Sequence, residues 1–255
     1  HTPFSRIKTI HADITADEAR ALGYIKGKQK KEEVFTVLKR TTDPTTIYKK
    51  QKLDRDDVID ITSFDVVAFI KGEMRMMLDE EIARAILVGD DRLPDSDDKI
   101  KEDKIRPIAK DDDLYTIKAV MDKVDDPAVK AKNFIVTCIK ARKGYRGSGE
   151  PTLFTTEDVL TDCLLLEDKN GRVIYDSVAK LATALRVKEI VTVPVMENMK
   201  NFEDKKNGKV ELLGVIVNLK DYNVGADKGG AVNMFDDFDI DYNQQKYLIE
   251  TRCSG

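Results

Sequence analysis

The feature that most constrains this chain is the segment from Val66 to Val88, where apolar side chains recur every three or four positions. A helix of that length is about 35 Å long and well above the usual 11–12 residues. Gly89 ends the pattern. Thr62 or Ser63 is predicted to cap the start, with Asp65 in the first turn, where the helix dipole favours a carboxylate. The residues predicted to pack into a core are Phe64, Val67, Met74, Leu78 and Ile82.

The segment before this helix has the pattern of an extended arm or hairpin. Ile10–Ile14 and Val34–Leu38 are predicted strands, and Gly23–Lys31, with two glycines and four lysines, is a predicted solvent-facing tip. Residues 1–52 carry 12 Lys/Arg and 6 Asp/Glu, although the whole chain has a formal net charge of −4. Such a basic arm is suited to reaching a neighbouring copy, but charge alone favours the simpler interpretation of a lysine-rich soluble loop.

The rest of the chain mixes helices and strands without regular alternation. A second helix is predicted to begin at Asp126-Pro127 and to bury one face that includes Ile139. A third is predicted to begin at Thr155 or Thr156, and a fourth after Ser177. The predicted strands lie around Ile105–Ile108, Leu114–Val120, Leu153–Phe154, Ile190–Met196, Leu212–Leu219 and Tyr247–Cys253. A hairpin, a long helix and then mixed elements indicate an α+β fold.

Composition and spacing exclude several kinds of chemistry. The chain has two histidines, His1 and His11, too few for a histidine-based metal site. Its three cysteines show no Cys-x-x-Cys spacing, which argues against a zinc site or a disulfide framework. Gly144–Gly149 is rich in glycine but lacks the spacing of a phosphate-binding loop. No apolar run approaches the roughly 18 residues that cross a bilayer, so no membrane partner is predicted.

Two runs of carboxylates leave one chemical alternative open. Asp111–Asp113 and Asp236–Asp241 could supply oxygen ligands to a divalent cation, although neither has the calcium-loop spacing. In the second run, Phe238 and Ile240 alternate with acids, which favours a strand with one wet face. Met74, Met76 and Met77 are predicted to fill a core. We therefore predict no catalytic, cofactor-binding or metal site, and no enzyme.

Several stretches resemble the major capsid proteins of tailed bacteriophages and prophages, which share the Hong Kong 97-type capsid fold. The stretches are Lys49–Asp57, Asp60–Thr62 and Glu73–Glu81 around the long spine helix, Pro151–Thr155 and Leu164–Arg172 in the axial domain, and Phe238–Asn243 and Tyr247–Arg252 in the peripheral domain. The motifs are structural rather than catalytic, and the resemblance covers nearly the whole chain.

The resemblance implies a division into three parts. Residues 1–60 would be an N-terminal arm and extended hairpin loop, residues 61–113 and 236–255 a peripheral domain with the spine helix, and residues 114–235 an axial domain. The loop would lie on the adjacent subunit. The residues predicted to make that contact are Tyr24, Ile25, Lys26, Lys28, Lys31 and Phe35.

The resemblance also implies a function. The chain would be a structural subunit that self-assembles, as pentamers and hexamers, into the icosahedral head shell of a virion, without a cofactor. The shell would be assembled in the bacterial host cytoplasm and would enclose double-stranded DNA without sequence-specific binding. A scaffolding segment or protein, a maturation protease and a portal are implied partners. An encapsulin-like nanocompartment and, further away, a metal-dependent hydrolase using the aspartate runs are the alternatives.

Overall fold

The computed structural model describes residues 5–8, 26, 38–41, 43–60, 65–93, 95–113, 115–199, 202–204, 208–226 and 230–255. Their elements, in chain order, are β1 (Ser5–Lys8), β2 (Leu38–Thr41), β3 (Thr45–Asp54), α1 (Arg55–Asp60), α2 (Val66–Leu87), α3 (Pro127–Ala141), β4 (Thr152–Thr155), α4 (Glu157–Leu164), α5 (Val178–Leu185), β5 (Ile190–Thr192), β6 (Phe202–Asp204), β7 (Gly208–Val210), β8 (Gly214–Val217), β9 (Gly225–Ala226), β10 (Asn233–Asp239) and β11 (Gln244–Ser254). Short 3-10 turns occupy Ile108–Lys110, Arg142–Gly144, Pro194–Asn198 and Leu219–Asp221.

Helix α2 is the predicted long helix and runs unbroken for 22 residues. Its N-cap is Asp65, whose Oδ1 accepts a hydrogen bond from the Ala68 amide at 2.9 Å. The assignment of Asp65 to the first turn was therefore wrong, because its backbone is extended and its side chain satisfies a free amide of that turn. At the other end the amides of Val88 and Gly89 both donate to the Arg84 carbonyl, and Gly89 takes the left-handed conformation that ends the helix.

One side of α2 packs against a sheet with the strand order β10-β11-β3. Met74, Leu78 and Ala85 are buried on the helix, at spacings of four and seven residues that keep them on one face. The opposing buried side chains of the sheet are Ile47, Tyr247, Ile249 and Cys253. This shared core, not helix propensity, holds the long helix in place.

Strand β3 belongs to this sheet along its whole length. It pairs antiparallel with β11 from Thr45↔Cys253 to Asp54↔Gln244. Residues 45–54 fall within the predicted arm of residues 1–60, and they are anchored against the end of the chain. The domain boundaries themselves stay a prediction.

A second core lies between the sheet β5-β4-β8 and helices α3, α4 and α5. Its most deeply buried side chains include Leu153, Cys163, Leu181 and Leu185. The three helices begin at the predicted caps, since Asp126, Thr156 and Ser177 each accept a hydrogen bond from an amide of the first turn. Strands β4 and β5 pair in parallel, whereas β4 and β8 are antiparallel.

A third buried cluster connects the two larger cores. Leu87 and Val88, at the end of α2, pack with Met196, Met199, Phe202 and Val215. The last turn of the long helix therefore contacts the segment that follows β5 as well as its own sheet.

Several predictions about strands were wrong. Residues 105–108 and 115–120 form no strand, and a 3-10 turn begins at Ile108. The strand predicted for Ile190–Met196 ends at Thr192, because Pro194 starts a 3-10 turn. Among the described residues, no helix has the length and apolarity needed to cross a membrane.

Candidate assembly surfaces

The base of the predicted N-terminal hairpin is a two-stranded ladder. Strands β1 and β2 pair antiparallel from Ser5↔Thr41 to Lys8↔Leu38, so the chain leaves this ladder and returns to it. Of the predicted contact residues, Lys26 is exposed in a turn. The others, Tyr24, Ile25, Lys28, Lys31 and Phe35, lie outside the described residues, as do the predicted strand Ile10–Ile14 and all of Val34–Leu38 except Leu38.

The predicted core residues of α2 divide into two groups. Met74 and Leu78 are buried, whereas Val67 and Ile82 are partly buried against the same cluster. Phe64 lies outside the described residues, together with Thr62 and Ser63. Met76 and Met77 were wrongly assigned to the core and are exposed, because they lie about 180° and about 80° around the helix from the centre of the stripe formed by Met74, Leu78 and Ala85.

Strand β10 is an edge strand that was expected to have one sheltered face. Six of its seven residues are instead exposed, including Met234, Phe235 and Phe238. Among the described strands, β10 pairs only with β11 and so forms one edge of the sheet. An exposed apolar edge of this kind is a typical contact surface in assemblies.

A buried carboxylate fastens the loop that follows α2. The Asp90 side chain is fully buried and accepts hydrogen bonds from the Ile100 amide at 2.7 Å and the Lys99 ammonium at 3.1 Å. The Arg92 guanidinium lies 3.5 Å away and also pairs with Glu81 of α2 at 3.4 Å. Burial alone would raise the pKa of the Asp90 carboxyl, but these donors hold that pKa below its ordinary value.

The aspartate runs do not converge on a cation site in the described part of the chain. Within it, no group of three or more His, Cys, Asp or Glu residues is arranged to hold a metal ion. Asp239 instead pairs with Lys246, whose hydrogen bond lowers the pKa of the Asp239 carboxyl. The metal-dependent hydrolase therefore gains no support from the placement of these acids.

The glycine-rich loop is occupied by its own chain. The Ser148 amide and hydroxyl donate to the two carboxylate oxygens of Asp221 at 2.7 and 2.6 Å, and the Asn218 side-chain amide donates to the Ser148 carbonyl. A carboxylate already takes the amide that a phosphate would need. The loop is a structural connector.

The cysteines behave as small core residues. Cys138 and Cys163 are buried in the second core, and burial raises the pKa of each thiol to about 12. Because the thiolate is the reactive form, neither is suited to act as a nucleophile at neutral pH. Cys253 is buried against α2, and burial raises the pKa of its thiol as well.

No family model and no curated protein sequence matches this chain. Solved structures do. A protein of Mycobacterium phage Ogopogo matches with a TM-score of 0.63 and 9% identity, over 98% of this chain and 81% of that chain. A protein of Microbacterium phage Oxtober96 matches with a TM-score of 0.60 and 10% identity, over 98% and 79%. The capsid of the native GTA particle, computed with C5 symmetry, matches with a TM-score of 0.57 and 9% identity, over 98% and 79%.

The chain has a capsid fold. This confirms the α+β capsid fold that the sequence resemblance implied. In this capsid fold, α2 with its sheet and α3–α5 with theirs are the two packed bodies, and β1–β2 is the base of the hairpin. With sequence identities near 10%, the likeness lies in architecture rather than in conserved side chains.

Proposed function

We propose that this protein is a structural subunit that self-assembles into the icosahedral head shell enclosing phage DNA. One observation supports this most strongly. The capsid fold extends over 98% of the chain in the match to the GTA capsid, so nearly every described element has a counterpart in a protein that forms a shell. A fold can host unrelated functions, but here the fold and the surface properties of the subunit agree.

The subunit exposes apolar surfaces of the kind that pack against neighbouring copies in an assembly. The outer side of α2 exposes Met76 and Met77, and the edge strand β10 exposes Phe235 and Phe238. Each such contact can be weak, because a subunit in a shell makes many of them at once and their effects multiply. Rings of five and six copies would use heterologous contacts, in which two different surfaces meet.

The hairpin that begins at β1 and ends at β2 would extend over an adjacent subunit. Its described strands carry Arg6, Lys8, Lys39 and Arg40 and no acid, and the surrounding residues 1–52 are net basic while the remainder of the chain is net acidic. Opposite charges would guide the hairpin onto its neighbour, although exposed ion pairs add only about 0–1 kcal/mol each. Apolar positions such as Ile25 and Phe35 would supply more of the affinity.

The remaining parts of the proposal concern partners and place. The shell would be built in the bacterial host cytoplasm with a scaffolding segment or protein, a maturation protease and a portal, and would become the virion capsid. It would enclose double-stranded DNA without reading its sequence, in keeping with a chain whose formal net charge is −4 rather than strongly basic. The subunit would act structurally and not as an enzyme.

The test is expression of the full-length gene product with its genomic neighbours, followed by sedimentation and negative-stain electron microscopy. We expect closed particles of uniform size that contain nucleic acid. Particles that contain a cargo enzyme instead would favour the nanocompartment. A product that remains monomeric at every concentration, with and without its neighbours, would overturn the proposal.

A further inference from the structure

Two segments of the second body carry opposite charges that form no ion pair with each other in the described residues, although Lys130, Asp158 and Asp162 line one groove. Residues 127–143, which contain α3, have five Lys/Arg and no acid. Residues 157–168, which contain α4, have five Asp/Glu and no base. Although α3 and α4 pack on the same core, no ion pair joins these two segments in the described part of the chain.

The basic face is the solvent side of α3. It consists of Val129, Lys132, Val136, Ile139 and Lys140. At 100° per residue these five positions span an arc of about 100°, opposite to the buried face of the same helix. Ile139 is 42% exposed, so its predicted place on the buried face was wrong; one residue past Cys138 the helix has turned it outward. Lys132 and Lys140 make no ion pair among the described residues.

The acidic face lies on α4 and the hairpin after it. It consists of Glu157, Asp158, Leu165, Glu167 and Val173. Glu167 and Val173 are antiparallel bridge partners on either side of the Asn170-Gly171 turn, so their side chains lie on one side of this hairpin. Leu165 is 68% exposed and Val173 is 51% exposed, so both apolar side chains are accessible to a neighbouring copy.

Resting on the proposed function, we infer that the basic face of one copy docks against the acidic face of the next copy in the ring. Each face has apolar side chains flanked by charges of one sign, and the signs are opposite. Apolar contacts would supply affinity, and the charges would fix register and suppress like-with-like pairing. The two faces differ, so the contact is heterologous, as a ring requires.

The occupant is a second copy rather than another protein because one chain carries both complementary faces. Any two adjacent copies then present one face of each kind, and no further component is needed. A like-with-like dimer is disfavoured, since it would bring Lys132 and Lys140 against the same lysines of its partner.

The test is a charge swap in the full-length gene product. Lys132→Glu with Lys140→Glu should abolish closed particles, as should Glu157→Lys with Asp158→Lys, and the four substitutions together should restore them. Circular dichroism should show folded subunits throughout, because all four side chains are exposed. Lys209→Glu with Lys220→Glu, exposed lysines outside both faces, is the matched control and should assemble normally.

A second pair of variants tests the apolar part of the contact. Ile139→Asp should abolish particles, whereas Leu219→Asp, at another exposed apolar position, should not. Assembly by both charge-reversed doubles, or no rescue by the fourfold swap, overturns the docking while wild-type particles leave the shell function intact. Failure of the wild-type product itself to form particles overturns both.

Discussion

Asp90 offers the sharpest test of how the loop after α2 is held. Its side chain is fully buried, and it accepts from the Ile100 amide and the Lys99 ammonium while facing the Arg92 guanidinium. Asp90→Asn preserves the volume but removes the charge and replaces one acceptor by a donor that faces other donors. Because only one side-chain oxygen remains, either the Ile100 amide or the Lys99 ammonium loses its acceptor, which is costly in a buried site.

The magnitude follows from those contacts. Removing one member of a buried pair costs about 3–5 kcal/mol, but Lys99 is 16% exposed and Arg92 is 41% exposed, so both can turn toward water. We therefore expect Asp90→Asn to lower the free energy of unfolding by about 2–3 kcal/mol. In a chain of this size that corresponds to a fall in the melting temperature of about 4–12 °C.

Thermal melting followed by circular dichroism measures the effect, and Asp91→Asn is the matched control. Asp91 is 61% exposed, lies 3.9 Å from Arg84 and has a positive φ that asparagine also tolerates. Asp91→Asn should therefore leave the melting temperature nearly unchanged. Equal melting temperatures for the two variants would refute the reasoning.

The same side chain makes the stability of the protein depend on pH. The pKa of the Asp90 carboxyl is lowered in the folded state, so the contribution of Asp90 to the free energy of unfolding is complete above the unfolded pKa and is lost as pH falls through the folded pKa. The difference between wild type and Asp90→Asn should therefore begin to shrink as pH falls to about 4, and it should disappear only below the folded pKa, which is lower still.

Three further outcomes are expected. Met74→Glu should unfold the subunit by burying a charge, at a cost of about 4 kcal/mol or more, whereas Met76→Glu on the exposed side should leave the urea midpoint nearly unchanged. Deletion of Gly23–Lys31 from the full-length product should give folded subunits that form no closed shells by electron microscopy. Replacement of the same residues by a glycine-serine segment of equal length keeps the length of the hairpin and removes only its side-chain contacts. Normal particles from the deletion would count against the hairpin contact. Cys138 and Cys163 should react with a thiol reagent at pH 8 only as fast as the protein unfolds, since burial holds each pKa near 12; rapid labelling of the native protein would contradict their burial.

Local signals in the sequence predicted most of the helix boundaries. The caps Asp126, Thr156 and Ser177 were identifiable because each bonds an amide two or three residues away, so the information lies within one turn. The Asn170-Gly171 turn was identifiable for the same reason, with Gly171 at a positive φ. The α+β class followed from the order of these elements.

Features that depend on distant partners could not be read in this way. Phe238 alternates with acids as in a half-buried strand, yet burial of β10 requires a layer over it that the described residues do not supply. The role of Asp90 depends on a loop ten residues further along folding back onto it. Ile139 is different, because a 3.6-residue count places it about 90° from the centre of the buried face of α3, at a flank where periodicity alone does not decide burial.

The sharing of Leu87 and Val88 between α2 and the segment around Met196 has a mechanical consequence. Because the last turn of α2 is packed into the second body, α2 cannot rotate or tilt without moving that body. The two bodies are therefore expected to move together. In a closed shell, pentamers and hexamers impose different angles between neighbours. If this subunit forms such a shell, that variation would be taken up between subunits, and the stiffness of the shell would depend on how firmly the contacts between subunits resist bending.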